Sequence, residues 1–183
     1  VAHPARDAVE RRRSHSKVTA EAPSHEQLLP LVAAAGGVAD HGSLHPWRLI
    51  ELRGADRARL GDALAEASGL EGKDAAKLAE KPLRASLLIA VVAVHQPSFK
   101  VPEWEQDATA AGVAHVLSLL LDEAGWGVIW RTGGHTRSEP VRRMHGLADN
   151  EVLLGWLYVG GIVPDKSKPG RKLIDPTRYL TAL

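Results

Sequence analysis

Apolar residues recur along this chain with two different periods. Leu28, Leu31, Val32 and Ala35 have helical spacing, and their run opens on Ser24 with Gln27 three residues later, a capping-box pattern, and closes on Gly36 and Gly37. The pattern predicts a helix from about Ser24 to Ala35. Trp47 to Arg53 mixes apolar and β-branched residues between charged ends and predicts a strand, which Gly54 stops. Residues Ala55 to Glu80 carry Ala, Leu, Glu and Lys at helical frequency, broken near Gly69 and Gly72, so two helices are expected there. Ser86 to Val94 is an unbroken apolar run, as expected of a mid-sheet strand covered on both faces. From about Glu105 to Ala124 the sequence is apolar almost all round and predicts the central core helix.

After Gly125, Trp126 to Trp130 reads as a short strand, Ser138 to His145 as a polar helix, and Val152 to Gly160 as a second strand buried on both sides. Pro4 to about Arg13 is a short helix with Ala5, Ala8 and Val9 as a weak apolar face. The tail from Ile162 to Leu183 has no core pattern and is expected to lie on something else, with Val163 to Gly170 as its most linker-like stretch. About five helices and four strands, mostly alternating, predict an α+β layered domain with helices on both faces of a sheet.

The length of 183 residues and the 44% hydrophobic content point to a single domain spanning 1–183. Charges nearly balance, 23 Lys and Arg against 22 Asp and Glu, so no global field favours nucleic acid. The absence of cysteine excludes disulfides, thiolate metal sites and a cysteine nucleophile, and fits a reducing compartment. The triple arginine near the N-terminus is not followed by a signal-peptide core, and the apolar stretch Ala108 to Leu121 is shorter than the roughly 18 residues a membrane span needs. A cytoplasmic protein without membrane or nucleic acid partners is expected.

Three segments carry candidate chemistry. Arg12, Arg13 and Ser14, with Lys17 after them, stand where a helix ends; arginine forks and a hydroxyl together match phosphate oxygens, although such a run is also an ordinary solvated basic turn. Asp40, His41 and His45 lie within six residues before Pro46 and Trp47, yet no HExxH helix and no cysteine completes a metal set, so no metal site is expected. Gly125 to Gly134 runs from a buried strand containing Trp126 and Trp130 into a glycine-rich turn, which suits either core packing or a planar ring held at a sheet edge. GxGxxG, GxSxG and P-loop motifs are absent, and no side-chain acid or base stands out.

Taken in order, these segments resemble the nitroreductase family, and specifically its small YdjA-type members. The matching pieces are Arg12 to Ser14, Asp40 and His41, Pro46 and Trp47, Lys100 to Gln106, Gly125 to Gly133 and Gly155 to Gly160, within a likeness running from about Arg11 to Asp175. The resemblance implies a three-layer α/β/α sandwich with a mainly antiparallel sheet, and a homodimer with FMN at two interface sites. It also implies a C-terminal tail, from about residue 162, exchanged onto the partner. Arg12, Arg13 and Ser14 would hold the ribityl phosphate and nearby polar flavin atoms. His41 would approach from the other subunit, and Trp130, Arg131 and Thr132 would line the isoalloxazine. The flavin would pass hydride from NAD(P)H to nitro or quinone-like acceptors, with Lys17 or Arg131 as the cation beside its electron-rich edge and no catalytic side chain.

The chain departs from the resemblance at Gly37, where small relatives carry an arginine four residues before the histidine, at His45, where a glutamine is common, and at Lys17, offset by one position. Those departures motivate an alternative, a flavin-binding or flavin-storing member with little turnover. A metal hydrolase using His41 and His45 is a third reading.

Overall fold

The computed structural model describes residues 2–164 and 174–182. In chain order the elements are α1 (Pro4–Arg11), α2 (His25–Ala35), β1 (Trp47–Leu52), α3 (Ala55–Ser68), α4 (Gly72–Ala79), β2 (Leu87–Val94), α5 (Glu103–Glu123), β3 (Trp126–Arg131), α6 (Glu139–His145) and β4 (Glu151–Gly161). The strands form one fully antiparallel sheet in the order β1-β2-β4-β3, so the two apolar runs are its central pair. Every helix and strand read from the periodicity is present, with ends moved by a residue or two. The capping box of α2 is formed in full: the Ser24 hydroxyl accepts from the Gln27 N–H, and the Gln27 side chain accepts from the Ser24 N–H. Gly69 and Gly146 end α3 and α6 in the left-handed conformation.

Helices cover both faces of the sheet, giving the three-layer sandwich. On one face, α3, α4 and α6 bring Leu60, Leu64, Leu78 and Val141 onto Leu88, Ala90, Val92, Leu153, Trp156 and Tyr158. On the other, α2 and α5 bring Leu28, Val113, Ala114, Leu117 and Leu121 onto Leu87, Ile89, Val91, Leu157 and Val159. Alternation along β2 divides its side chains between the two cores without interruption, which explains why the run reads as unbroken apolar sequence. The helix α5 buries one face, from Gln106 through Ala110, Val113 and Leu117 to Leu121, while Val116 and Leu120 are half-buried and His115 is exposed, so its apolar surface extends beyond what this chain covers.

One feature of β4 has no counterpart in the hydrophobic pattern. Val91 pairs with Gly155 and Val92 with Leu153, so Leu154 is an extra residue, a β-bulge. Gly155 in the bulge has φ +129°, and a Cβ there would lie 2.4 Å from the Arg131 carbonyl oxygen and 2.9 Å from Trp130 Nε1. The bulge resets the alternation, sending Trp156 and Tyr158 to the same face as Leu153.

The linker-like stretch read at Val163 to Gly170 lies largely outside the described residues. Of the tail, residues 174–182 are described: a short 3-10 turn at Pro176–Arg178 carries exposed Tyr179 and Leu180, and Ile174 before it is exposed.

Candidate functional site

Most of the candidate residues lie on or beside β3. The Arg12 backbone closes α1, and Ser14 forms an isolated parallel bridge with Val128 while the His15 N–H donates to the Val128 carbonyl at 2.9 Å. His15 and Val18 pass within 3.1–3.2 Å of where a Cβ on Gly127 would sit, so glycine lets this segment pack closely on the strand. Lys17 lies between them on the exposed surface.

The guanidinium of Arg13 turns back onto its own helix. One Nη donates to the carbonyls of Glu10, at 2.5 Å, and of Arg11 and Arg12, both at 3.1 Å, capping the C-terminus of α1. Arg11 pairs with Asp122 of α5 at 3.8 Å. Among the described residues, the side chains of Arg12, Ser14 and Lys17 have no hydrogen-bond or ion-pair partner, so one fork, one hydroxyl and one ammonium remain available beside β3. Arg12 borders a small apolar hollow with Val9, His115, Val116 and Leu119.

Strand alternation separates Trp130 from Arg131. Trp130 faces the α5 layer, edge-on to His115 with ring centroids 5.1 Å apart, and its buried indole N–H has no partner among the described residues. Arg131 and Thr132 face the opposite layer, where they line a cavity of about 330 Å³ with Lys81, Arg84, Gly133, His135, Thr136, Trp156 and Tyr158, closed at depth by Leu64 and Leu78. The Arg131 guanidinium lies 5.4 Å from the Tyr158 ring centroid. Three cations and no carboxylate line this cavity over two aromatic side chains, so it favours a planar group carrying negative charge. Burial raises the Tyr158 pKa, opposed by the charges of Arg131 and Arg84, so the phenol stays a neutral donor.

The sequence reading missed Lys81, Arg84, His135, Trp156 and Tyr158. Lys81 and Arg84 flank Pro82 in the short 3-10 turn Lys81–Arg84 between α4 and β2, and a basic pair just before a buried strand was their one visible signal. Trp156 and Tyr158 read as core because the bulge that redirects them leaves no trace in composition.

His41 stands elsewhere. It opens the 3-10 turn His41–Ser43, and its Nδ1 lies 2.7 Å from a carboxylate oxygen of Glu105 in the first turns of α5. Asp40 builds this loop: one carboxylate oxygen accepts from the His45 N–H at 2.8 Å and the other from the Leu44 N–H at 3.3 Å. That supports the left-handed conformations of Ser43 and His45, at φ +51° and +46°. No group of three or more potential metal ligands occurs among the described residues. Asp122, the partner of Arg11, lies 17 residues beyond Glu105 on the same helix, which at about 1.5 Å per residue is roughly 25 Å. Within one chain, His41 and the α1 exit are therefore at opposite ends of α5.

The nitroreductase family model matches residues 9–161. The chain belongs to the nitroreductase family. Over 174 residues this family member is 34% identical to YdjA of Escherichia coli strain K12, whose name places it among NAD(P)H nitroreductases, and the match covers 93% of this chain and 94% of that one. Among solved structures, a nitroreductase-like family protein from Bacillus cereus superposes with a TM-score of 0.85 at 22% identity, covering 100% of this chain and 97% of the other. The FMN- and NADPH-dependent nitroreductase NfnB from Sphigopyxis sp. strain HMH superposes with a TM-score of 0.75 at 16% identity, covering 99% of each chain. These two superpositions show the shared fold of this nitroreductase-family chain.

Proposed function

We propose that this protein is an FMN-dependent oxidoreductase that takes hydride from NAD(P)H and delivers it to nitro or quinone-like acceptors. The observation that carries the reading is the cavity at the end of β3, where Arg131 and Thr132 meet Lys81 and Arg84 over Trp156 and Tyr158 in a chain of the nitroreductase family. The chemistry that bound FMN supplies is reversible uptake of a hydride, first from the nicotinamide and then toward the acceptor.

The chain's residues fit that group. The free Arg12 fork, the Ser14 hydroxyl and Lys17 match a phosphate monoester in charge and in donors, as would Arg13 through the donors left by the one Nη that caps α1. Lys81, Arg84 and Arg131 offer positive charge to the part of the flavin ring that becomes anionic on reduction, which raises the affinity for the reduced form. Trp156 and Tyr158 exclude water from the cavity wall. Trp130 and Thr132 bracket Arg131 at the strand end, on the edge where the ring would be held.

His41 joins this set only from a second copy, because roughly 25 Å of α5 separates it from the α1 exit of its own chain. On this reading the protein is a homodimer with two sites at its interface, and the described tail residues 174–182 would lie across the partner.

An anaerobic titration of FMN-loaded protein with NADPH and NADH tests the reading. Bleaching of the flavin absorbance, reversed by a nitroarene or quinone, is the expected result. Tight FMN binding without bleaching would replace it with a flavin-storing role, which the departures at Gly37 and His45 also accommodate.

A further inference from the structure

His145 is a buried titratable group that the reaction above does not use. It is the last residue of α6, 9% exposed, and lies behind the cavity wall with its ring centroid 5.9 Å from that of Trp156. The Trp156 indole N–H donates to its Nε2 at 3.0 Å, while its Nδ1 lies 2.8 Å from the Val141 carbonyl oxygen. Indole is a donor only and a carbonyl an acceptor only, so these contacts require one arrangement: a neutral ring with the proton on Nδ1 and a bare Nε2. Trp156 itself is 4% exposed and borders the cavity with Tyr158 and Arg131.

Without an acceptor behind it, the indole N–H would be buried and unsatisfied, at a substantial cost. The polar space bordering the ring is the cavity itself. Turning the N–H toward that space would carry the ring into a volume of about 330 Å³ that a ligand must share. We propose that His145 is a positioning residue for the cavity, holding the Trp156 indole from behind so that the ring serves as a flat wall. The effect on flavin binding rests on the functional reading above; the link between the two side chains does not.

The test joins binding with spectroscopy on the full chain. In wild type, histidine nitrogen resonances should show His145 protonated on Nδ1 and bare on Nε2, and the opposite tautomer would overturn the proposal without any variant. His145→Leu should move the Trp156 indole N–H resonance and weaken FMN binding about tenfold. His145→Gln, which keeps an acceptor and a donor on one side chain, should stay within about threefold of wild type. In a Trp156→Phe background, His145→Leu should bring no further loss, because the N–H it served is gone.

Equal loss in both backgrounds would make His145 a purely structural residue and overturn the proposal. So would unchanged FMN affinity and an unmoved indole resonance in His145→Leu. If His145→Leu does not fold, wild-type affinity in His145→Gln supports the proposal, and a tenfold loss there with an unmoved indole resonance rejects it. A wild type that binds no FMN would sink the functional reading instead, and the tautomer and indole resonances would then decide the His145 link by themselves.

Discussion

Arg131 concentrates two roles at one position: it closes the register of β3 against Trp156 and places a guanidinium over Tyr158 in the cavity. With FMN in the cavity, its charge would act on the ring from within a partly desolvated site, whereas Lys17 is exposed. Arg131→Ala should lower the flavin midpoint potential by about 30 mV or more, the shift for a tenfold change in a two-electron couple, while Lys17→Ala should leave it nearly unchanged and mainly weaken FMN binding. Potentiometric titration of both variants checks this, and the reverse ranking would return the cation role to Lys17. Gly37 is exposed and its φ is outside the left-handed region, so a side chain there needs only a small shift to relieve the 3.2 Å approach of its Cβ to the Ala34 carbonyl oxygen. Gly37→Arg should tighten FMN binding about tenfold by adding a charge-assisted contact from the second copy.

Among the elements, β4 holds two devices that the stability of the fold depends on. At its start, Glu151 accepts two hydrogen bonds from the Arg48 guanidinium, at 2.5 and 2.8 Å, and one from the Ala148 N–H at 2.9 Å. The Arg48 hydrogen bonds, aided by its charge and the Ala148 N–H, outweigh burial and depress the Glu151 pKa below its ordinary 4.5. Its contribution is complete above about pH 4.5 and is lost as pH falls through the depressed value. His145 adds to acid lability higher up: burial, opposed by the Val141 hydrogen bond, lowers its pKa from 6.5, so the unfolded chain takes up that proton first and stability falls as pH drops below about 6.5.

Denaturant melts across pH should therefore show a two-part acid decline. Glu151→Gln should remove the lower part and cost about 2 kcal/mol at pH 7, less than a fully buried pair because Arg48 keeps contact with water. The second device is the bulge. Gly155→Ala should cost about 3 kcal/mol or more, because the methyl group meets the Arg131 carbonyl and the backbone angle suits glycine. The bulge also marks where the sequence stopped being informative. The long apolar periods of β2, β4 and α5, and the cap of α2 at Ser24, are local signals, and they gave the elements and the layering. Whether Trp156 belongs to core or cavity depends on one inserted residue, and pairing Lys81 with Arg131 depends on sheet order; neither is a property of any local window.

At the scale of the whole molecule, the distance between His41 and Arg12 makes a specific demand. If each FMN is held by both, His41→Ala and Arg12→Ala should each bind FMN poorly as homodimers. Mixed after partial denaturation and refolding, they should form heterodimers with one intact site in two, so that random reassortment restores about a quarter of all sites. No recovery from well-folded heterodimers would place both residues at sites within one chain. If the sites are shared in that way, the same separation along α5 would tie occupancy to association. Each cofactor is then a clasp between two polypeptides, and occupancy and dimerisation reinforce one another by the same free energy. Dilution would release flavin even at constant free FMN, and flavin would hold together dimers that otherwise come apart. A protein built that way would register its own abundance, carrying redox chemistry when its copies are numerous enough to meet and shedding it when they are scarce.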